Sequence, residues 1–334
     1  MNRRWLRGFP LVLLAVALLA AACAKETAWP TQYTGKEFPI NPVHRYTPAT
    51  NGDVVLWMDQ SNENKDIYGH DLTTHREFPV CTDPATQQNP IMSGDIVLWQ
   101  DDRNGNTDIY GYDLAAEKEL AVCTDAAEQK NFAIDGDIVV WEDDRDWAEL
   151  KSNIYLYYLS NESTFVVCKH RDEQRDPDVS GDIVVWQETR NGNNDIFSYN
   201  LSADPNFAEI AICTNLSDQS SPAIYGDVVI WIDDRFGNPD ILGYNMVTEE
   251  RLFLCTENST QRNIDFDGDI IVWEDDRNGN WDIYAYDLAT RTEFPICTHP
   301  AEQYHPAHCG DIVVWEDKRN GNDDIYGIRL SDLR

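Results

Sequence analysis

Positive charge is scarce in this chain: 26 Lys and Arg stand against 59 Asp and Glu in 334 residues, a net charge of −33. A field of that sign repels nucleic acid and anionic head groups, which excludes a nucleic-acid partner and favours cations or basic surfaces. Helix-length apolar periodicity is also missing, which excludes helical repeats and bundles. So are the signatures of catalysis. There is no G-x-S-x-G, no His-Glu-x-x-His and no phosphate-cradling glycine loop, and carboxylates are too numerous for any pair to stand out. The apolar run Leu11–Ala22 (LVLLAVALLAAA) falls short of the roughly 20 residues a membrane helix needs.

That run follows Arg3-Arg4-Trp5-Leu6-Arg7 and ends in small residues, the pattern of a secretory signal over residues 1–22. Its loss would leave the chain three charges more acidic. Cys23 stands directly after Leu19-Ala20-Ala21-Ala22, which resembles a bacterial lipoprotein lipobox, although the family usually carries a larger aliphatic residue at the place of Ala20. The resemblance implies a diacylglycerol on Cys23, with ordinary cleavage as the alternative. The expected location is the cell envelope, with the membrane reached through the lipid alone and residues 23–35 as a polar tether.

What the chain does have is a repeated sentence. A Gly-Asp pair recurs at Gly52, Gly94, Gly136, Gly181, Gly226, Gly268 and Gly310, at intervals of 42, 42, 45, 45, 42 and 42 residues. Each pair leads into an apolar run ending in Trp, an acidic turn, an Asp-Ile-Tyr-like run and a short strand ending in Cys. A period in the forties built of short alternating strands predicts an all-β, seven-bladed propeller with four-stranded blades over residues 36–334. In the sixth copy strand B is Asp269 to Trp273, strand C is Asp282 to Leu288 and strand D is Glu293 to Cys297; strand A is Pro222 to Tyr225 in the fifth. Pro295 marks D as the outer strand. The last copy lacks a D strand, and Lys36-Glu-Phe-Pro-Ile40 matches Thr292-Glu-Phe-Pro-Ile296, so residues 36–41 should complete the final blade and close one ring.

Strand B, the Asp-Arg-x-Gly-Asn turn and the Ile-Tyr-x-Tyr-Asp-Leu strand together resemble the propeller repeats of TolB-like proteins, over about residues 36–330. The A–B turn departs from the family in being a bare Gly-Asp, and there is no N-terminal α/β domain, so the role of TolB itself does not carry over. Propellers related to that family include oligogalacturonate lyases. The resemblance therefore implies a fold, and a polysaccharide-active enzyme as one possible activity.

Features present in every copy read as structure. An Asn104-Gly105 type I′ turn would set Trp99 opposite Tyr110 and Asp101 opposite Asp108, with Arg103 forking between the two carboxylates. The first copy has Ser61 in place of that arginine, which makes Asp59 and Asp66 the best candidates for a calcium ion; no other cofactor is expected. Cys81, Cys123, Cys168, Cys213, Cys255 and Cys297 occupy equivalent outer positions too far apart to pair, and are expected as buried free thiols. Gln87, Gln129, Gln174, Gln219, Gln261 and Gln303 each follow the blade cysteine by six residues, with Arg45 at the seventh place. They either tie each loop to the next blade or form a polar collar at the channel mouth, with Arg45 as its one cation.

The copies differ at a few places. The third lengthens its B–C turn, putting Trp147 at a tip beside the basic loop carrying His170 and Arg171, a candidate contact for a protein or glycan. His299, His305, His308 and Cys309 resemble a metal cluster, but regular alternation would send His305 and His308 to opposite faces and separate His305 from Cys309 by roughly 13 Å. The reading is a monomeric, non-enzymatic binding scaffold for an envelope protein or glycan, using the face of the D–A and B–C loops. The alternative is a lyase or glycosidase at the channel mouth.

Overall fold

The computed structural model describes residues 37–40, 44–61, 63–146, 151–203 and 208–333. These form seven four-stranded antiparallel sheets, each in the spatial order A-B-C-D, and the only helix among the described residues is a single 3-10 turn at Leu330–Asp332. Blade 1 comprises Arg45–Thr50, Val54–Asp59, Asp66–Asp71 and Arg76–Cys81, and the next five blades repeat that plan. Blade 7 takes its first three strands from Gln303–Cys309, Ile312–Asp317 and Asp324–Arg329, and its fourth from Glu37–Pro39. That N-terminal strand pairs antiparallel with Asp324–Arg329, Ile40 donates its N–H to the carbonyl of Ile325 at 2.8 Å, and Ile40 is fully buried. The expected closure is present.

Strands B and C carry the core. Val, Ile, Leu and Trp fill strand B almost without interruption because both its faces meet neighbouring blades, so the strand reads as a continuous apolar run. Trp99 lies opposite Tyr110 and Asp101 opposite Asp108, as the sequence predicts. The turn that achieves this differs from expectation. Gly105 donates to the carbonyl of Asp102 at 3.0 Å, and of the turn residues only Gly105 has positive φ (90°), so the turn spans Asp102–Gly105 and is not type I′.

The joints between blades are built from one repeated assembly. Arg103 forks onto Asp101, with Nε to Oδ1 at 2.8 Å and Nη2 to Oδ2 at 2.7 Å, and gives Nη1 to Glu119 at 2.9 Å, while Asp108 receives Asn104 and Asn106 at 2.6 and 2.7 Å. The expected fork between Asp101 and Asp108 is therefore corrected: Asp108 has its acceptors satisfied by the two asparagine amides, and the arginine goes to Asp101 and Glu119. Trp99 Nε1 donates to the same Asp101 at 2.9 Å, and the guanidinium lies 4.1 Å from the centre of the Tyr110 ring. Its Nη2 also reaches Cys81 Sγ of the preceding blade at 3.5 Å. Burial opposes ionisation of Asp101, but the Arg103 and Trp99 hydrogen bonds overcome it and hold the carboxyl below its usual range. The contact with the preceding cysteine recurs at Arg145, Arg190, Arg235, Arg277 and Arg319. All six blade cysteines are free, and burial pushes thiols such as Cys81 up to about 11.

Blade 1 solves the same problem with a different residue. Ser61 gives Asp59 a backbone N–H at 2.8 Å and its hydroxyl, and the missing guanidinium comes from Arg45 instead. Arg45 is 5% exposed, stacks 4.1 Å from the centre of Trp57, holds Glu77 at 3.2 Å and places Nε 3.7 Å from Asp59. The charge is conserved in the joint although the residue that carries it has moved.

Candidate functional site

The A strands line the axis and contact one another around the ring. Each begins with the glutamine (Arg45 in blade 1), and two residues later an amino acid other than glycine takes left-handed backbone geometry: Thr47, Asn89, Asn131, Asp176, Ser221, Asn263 and His305, with φ between 46° and 52°. A bulge in the A–B ladder accompanies each one. The glutamines do not form a collar open to solvent. All six are fully buried, and Gln87 Nε2 donates to the Ala85 carbonyl at 2.9 Å, as Gln129 does to Ala127 at 2.6 Å. Their geometry fits the loop-tying reading, and Arg45 belongs to the blade-1 joint.

The mouth is lined instead by the residue after each glutamine and by its partner on strand B, the residue after each tryptophan. These pairs are Tyr46 with Met58, Gln88 with Gln100, Lys130 with Glu142, Arg175 with Gln187, Ser220 with Ile232, Arg262 with Glu274 and Tyr304 with Glu316. Every strand-B member is buried. Where it is a carboxylate or amide, it can accept the N–H freed by the bulge of the next blade. Glu142 takes Asp176 N at 2.7 Å, Gln187 takes Ser221 N at 3.1 Å, Glu274 takes His305 N at 2.7 Å and Glu316 takes Thr47 N at 2.6 Å. Burial raises Glu142 to about 7 against the pull of its Asp176 and Asn131 hydrogen bonds.

Polar and aromatic groups converge where blades 6, 7 and 1 meet. Glu316 accepts His305 Nδ1 at 2.9 Å, and this bond raises the imidazole pKa despite its partial burial. The His305 side chain is 49% exposed, so its second nitrogen is the one available to a ligand. Beside it Arg262 donates Nε to Glu274 at 2.7 Å and lies 3.6 Å from the centre of Trp281 and 6.0 Å from that of Tyr304. Lys318 Nζ sits 4.9 Å from the other ring contact, Tyr304, and 3.4 Å from Asp323. Aromatic and cationic side chains thus alternate from Trp281 through Arg262 and Tyr304 to Lys318, over two buried carboxylates.

The other sequence candidates lie elsewhere. His170 Nδ1 approaches Glu188 at 3.1 Å and Asp172 at 3.2 Å, which draws it toward the blade-4 joint, while Arg171 is exposed. Trp147 and Cys23 fall outside the described residues. Asp59 and Asp66 face each other across the blade-1 ladder, with Asn64 donating to Asp66 at 2.8 Å, so protein donors already serve the pair proposed for calcium. His308 is buried with Nε2 2.9 Å from the Gly310 carbonyl, whereas the bulge brings His305 to the mouth. Among the described residues no three His, Cys, Asp or Glu side chains converge as a metal-ligand set.

No protein-family model matches the chain, and no curated protein matches it by sequence. Solved structures do match in shape. An oligogalacturonate lyase in complex with manganese superposes with a TM-score of 0.68 at 12% identity, over 88% of this chain and 92% of that one. A prolyl endopeptidase gives 0.68 at 11% identity over 89% of this chain, which corresponds to 49% of the peptidase. The propeller domain of the trilobed protease from Pyrococcus furiosus, described as having an open velcro topology, gives 0.66 at 12% identity over 86% of this chain and 93% of that domain. At these identities the likeness is one of fold: this chain is a seven-bladed β-propeller of four-stranded antiparallel blades.

Proposed function

We propose that the channel mouth at blades 6, 7 and 1 binds a saccharide-like ligand, and that the protein serves as an envelope-located, lipid-anchored binding scaffold. The observation that carries this is the run Trp281, Arg262, Tyr304 and Lys318 beside the His305–Glu316 pair. Aromatic faces suit the apolar faces of sugar rings, and fixed polar groups with partners already in place discriminate hydroxyl positions. The cations give a carboxylated sugar a landing place within an otherwise acidic field. Calorimetric titration against neutral and uronic-acid oligosaccharides should find a ligand whose affinity falls at least about tenfold in Tyr304→Ala and His305→Ala, as loss of a central contact does. Ser220→Ala, at the equivalent place on blade 5, should leave affinity unchanged. No binding across the panel, or equal losses in all three variants, would refute the assignment.

One observation favours an enzyme at the same place. A histidine oriented by a buried carboxylate, with its other nitrogen exposed, has the geometry of a general base. The shape match to an oligogalacturonate lyase makes oligogalacturonides the substrate to try first. Turnover that disappears in His305→Ala while binding survives would move the assignment to catalysis. Among the described residues no three ligating side chains converge beside His305, so no manganese-dependent step is assigned there.

A further inference from the structure

The seven outer strands offer a controlled comparison within one molecule. Each is the free edge of its sheet, and a free edge invites another strand unless proline or charge blunts it. The D strands of blades 1, 6 and 7 carry Pro79, Pro295 and Pro39. The same three, with blades 2 and 4, carry a glutamate on the strand, and blade 5 has Glu250 and Arg251. Blade 3 has neither device. Its D strand, Ser163–Cys168, reads STFVVC, with no proline and no formal charge.

Its apolar side chains are also displaced outward, for a reason visible one strand inward. In blades 1 and 7 the D-strand phenylalanine folds over a strand-C glycine, and a β-carbon added at Gly69 or Gly327 would come within 2.7 or 2.8 Å of the Phe78 or Phe38 ring. In blade 3 the facing residue is Leu156, which is buried and fills that space. Phe165 is therefore pushed out to 54% exposure beside Val166 at 42%, with its ring edge-on to Tyr158 at 6.0 Å.

We infer that this strand is a self-association edge, and that two copies of the chain pair their Ser163–Cys168 strands antiparallel about a twofold axis. A second copy is the occupant because the edge is complementary to itself. Exposed Glu162 precedes the strand and exposed Lys169 and Arg171 follow it, Lys169 also holding Asp146 of its own chain at 2.9 Å, so antiparallel pairing brings the acid of each copy to the basic end of the other. One strand pair is a small interface, and the net charge opposes association, which sets the dissociation constant in the range of about 10–100 µM.

The test rewrites the edge in the protein's own idiom. Thr164→Glu with Val166→Pro converts STFVVC to SEFPVC, close to the REFPVC and TEFPIC of blades 1 and 6, and supplies Arg145 with the glutamate that Arg103 finds in Glu119. Sedimentation velocity of the purified protein should show a monomer–dimer equilibrium between about 1 and about 200 µM at roughly 0.15 M salt. The double variant should be monomeric throughout with an unchanged unfolding midpoint, and Ile210→Lys, on the blade-4 edge, should dimerise as the parent does. If the double variant proves unstable, Thr164→Glu alone should weaken the dimer at least about tenfold. A parent that stays monomeric throughout returns the edge to some other partner and overturns self-pairing. Dimers of undiminished affinity in the Thr164→Glu variants overturn it equally.

Discussion

The displaced guanidinium of blade 1 can be tested by moving it back. Arg45→Gln installs the residue that the other six blades carry at this place, but it strips Asp59 and Glu77 of their cation and uncovers Trp57. Removing one partner from a buried ion pair costs about 3–5 kcal/mol, and because Ser61 still serves Asp59 through its N–H and hydroxyl, about 2–4 kcal/mol is expected. Ser61→Arg alone crowds a second guanidinium against a carboxylate already served, at a cost of about 1–2 kcal/mol for the buried cation left without a full partner. Together the two changes restore the assembly seen at Arg103, since Asp59, Tyr68 and Glu77 stand where Asp101, Tyr110 and Glu119 stand in blade 2. The double variant should then lie within about 1 kcal/mol of the parent, a coupling of about 3–6 kcal/mol in a double-mutant cycle. Urea unfolding followed by tryptophan fluorescence measures all four corners. Additive single effects, to within about 0.5 kcal/mol, would show that the two positions do not share one role.

Two further substitutions follow from the same frame. Glu142 is raised to about 7, so its native form favours the proton: the group supports folding at low pH, and that support fades as pH climbs from about 4.5 to about 7. Glu142→Gln keeps the acceptor oxygen, as Gln187 does in blade 4, and should stabilise the fold by about 1–3 kcal/mol at pH 8 with little effect at pH 4.5; equal shifts at both values would refute the burial argument. Deleting residues 36–41 removes buried Ile40, the ring of Phe38 over Gly327 and the Glu37 partner of Arg319. A loss of at least about 4 kcal/mol with a broadened transition is expected in denaturant melts, and an unchanged melt would disprove ring closure by that strand.

Seven copies of one sentence made the fold legible. Gly-Asp turns, Trp-terminated apolar runs and a missing last strand leave little choice once the period is recognised, and even the Trp99–Tyr110 register can be read from the turn. The mouth was far less visible. Recurrence drew attention to the glutamines, whose recurrence reflects burial, and to Arg45, whose difference from them is a structural transposition. Glu142, Glu274 and Glu316 were hidden in an apolar run, where one substitution looks like noise. A signal was present: Lys130 and Arg262, one residue after the glutamine, are matched by glutamates one residue after the tryptophan of the same blades. It required knowing that the A-strand bulge turns these two positions to one mouth. Regular alternation, applied to His305 and His308, misses that because the left-handed residue breaks the alternation.

The bulge ring has a consequence for how such a mouth can change over generations. Several seams of the inner wall are fastened by a main-chain N–H, which every residue but proline supplies, so the side chain at that position is spared from holding the ring together. At Thr47, Asp176, Ser221 and His305 the side chain can therefore be exchanged while the neighbouring blades stay seated, provided the strand-B acceptor is kept. Those four places act like the tumblers of a lock that can be reset one at a time, and randomising them is a direct route to propellers that recognise new molecules.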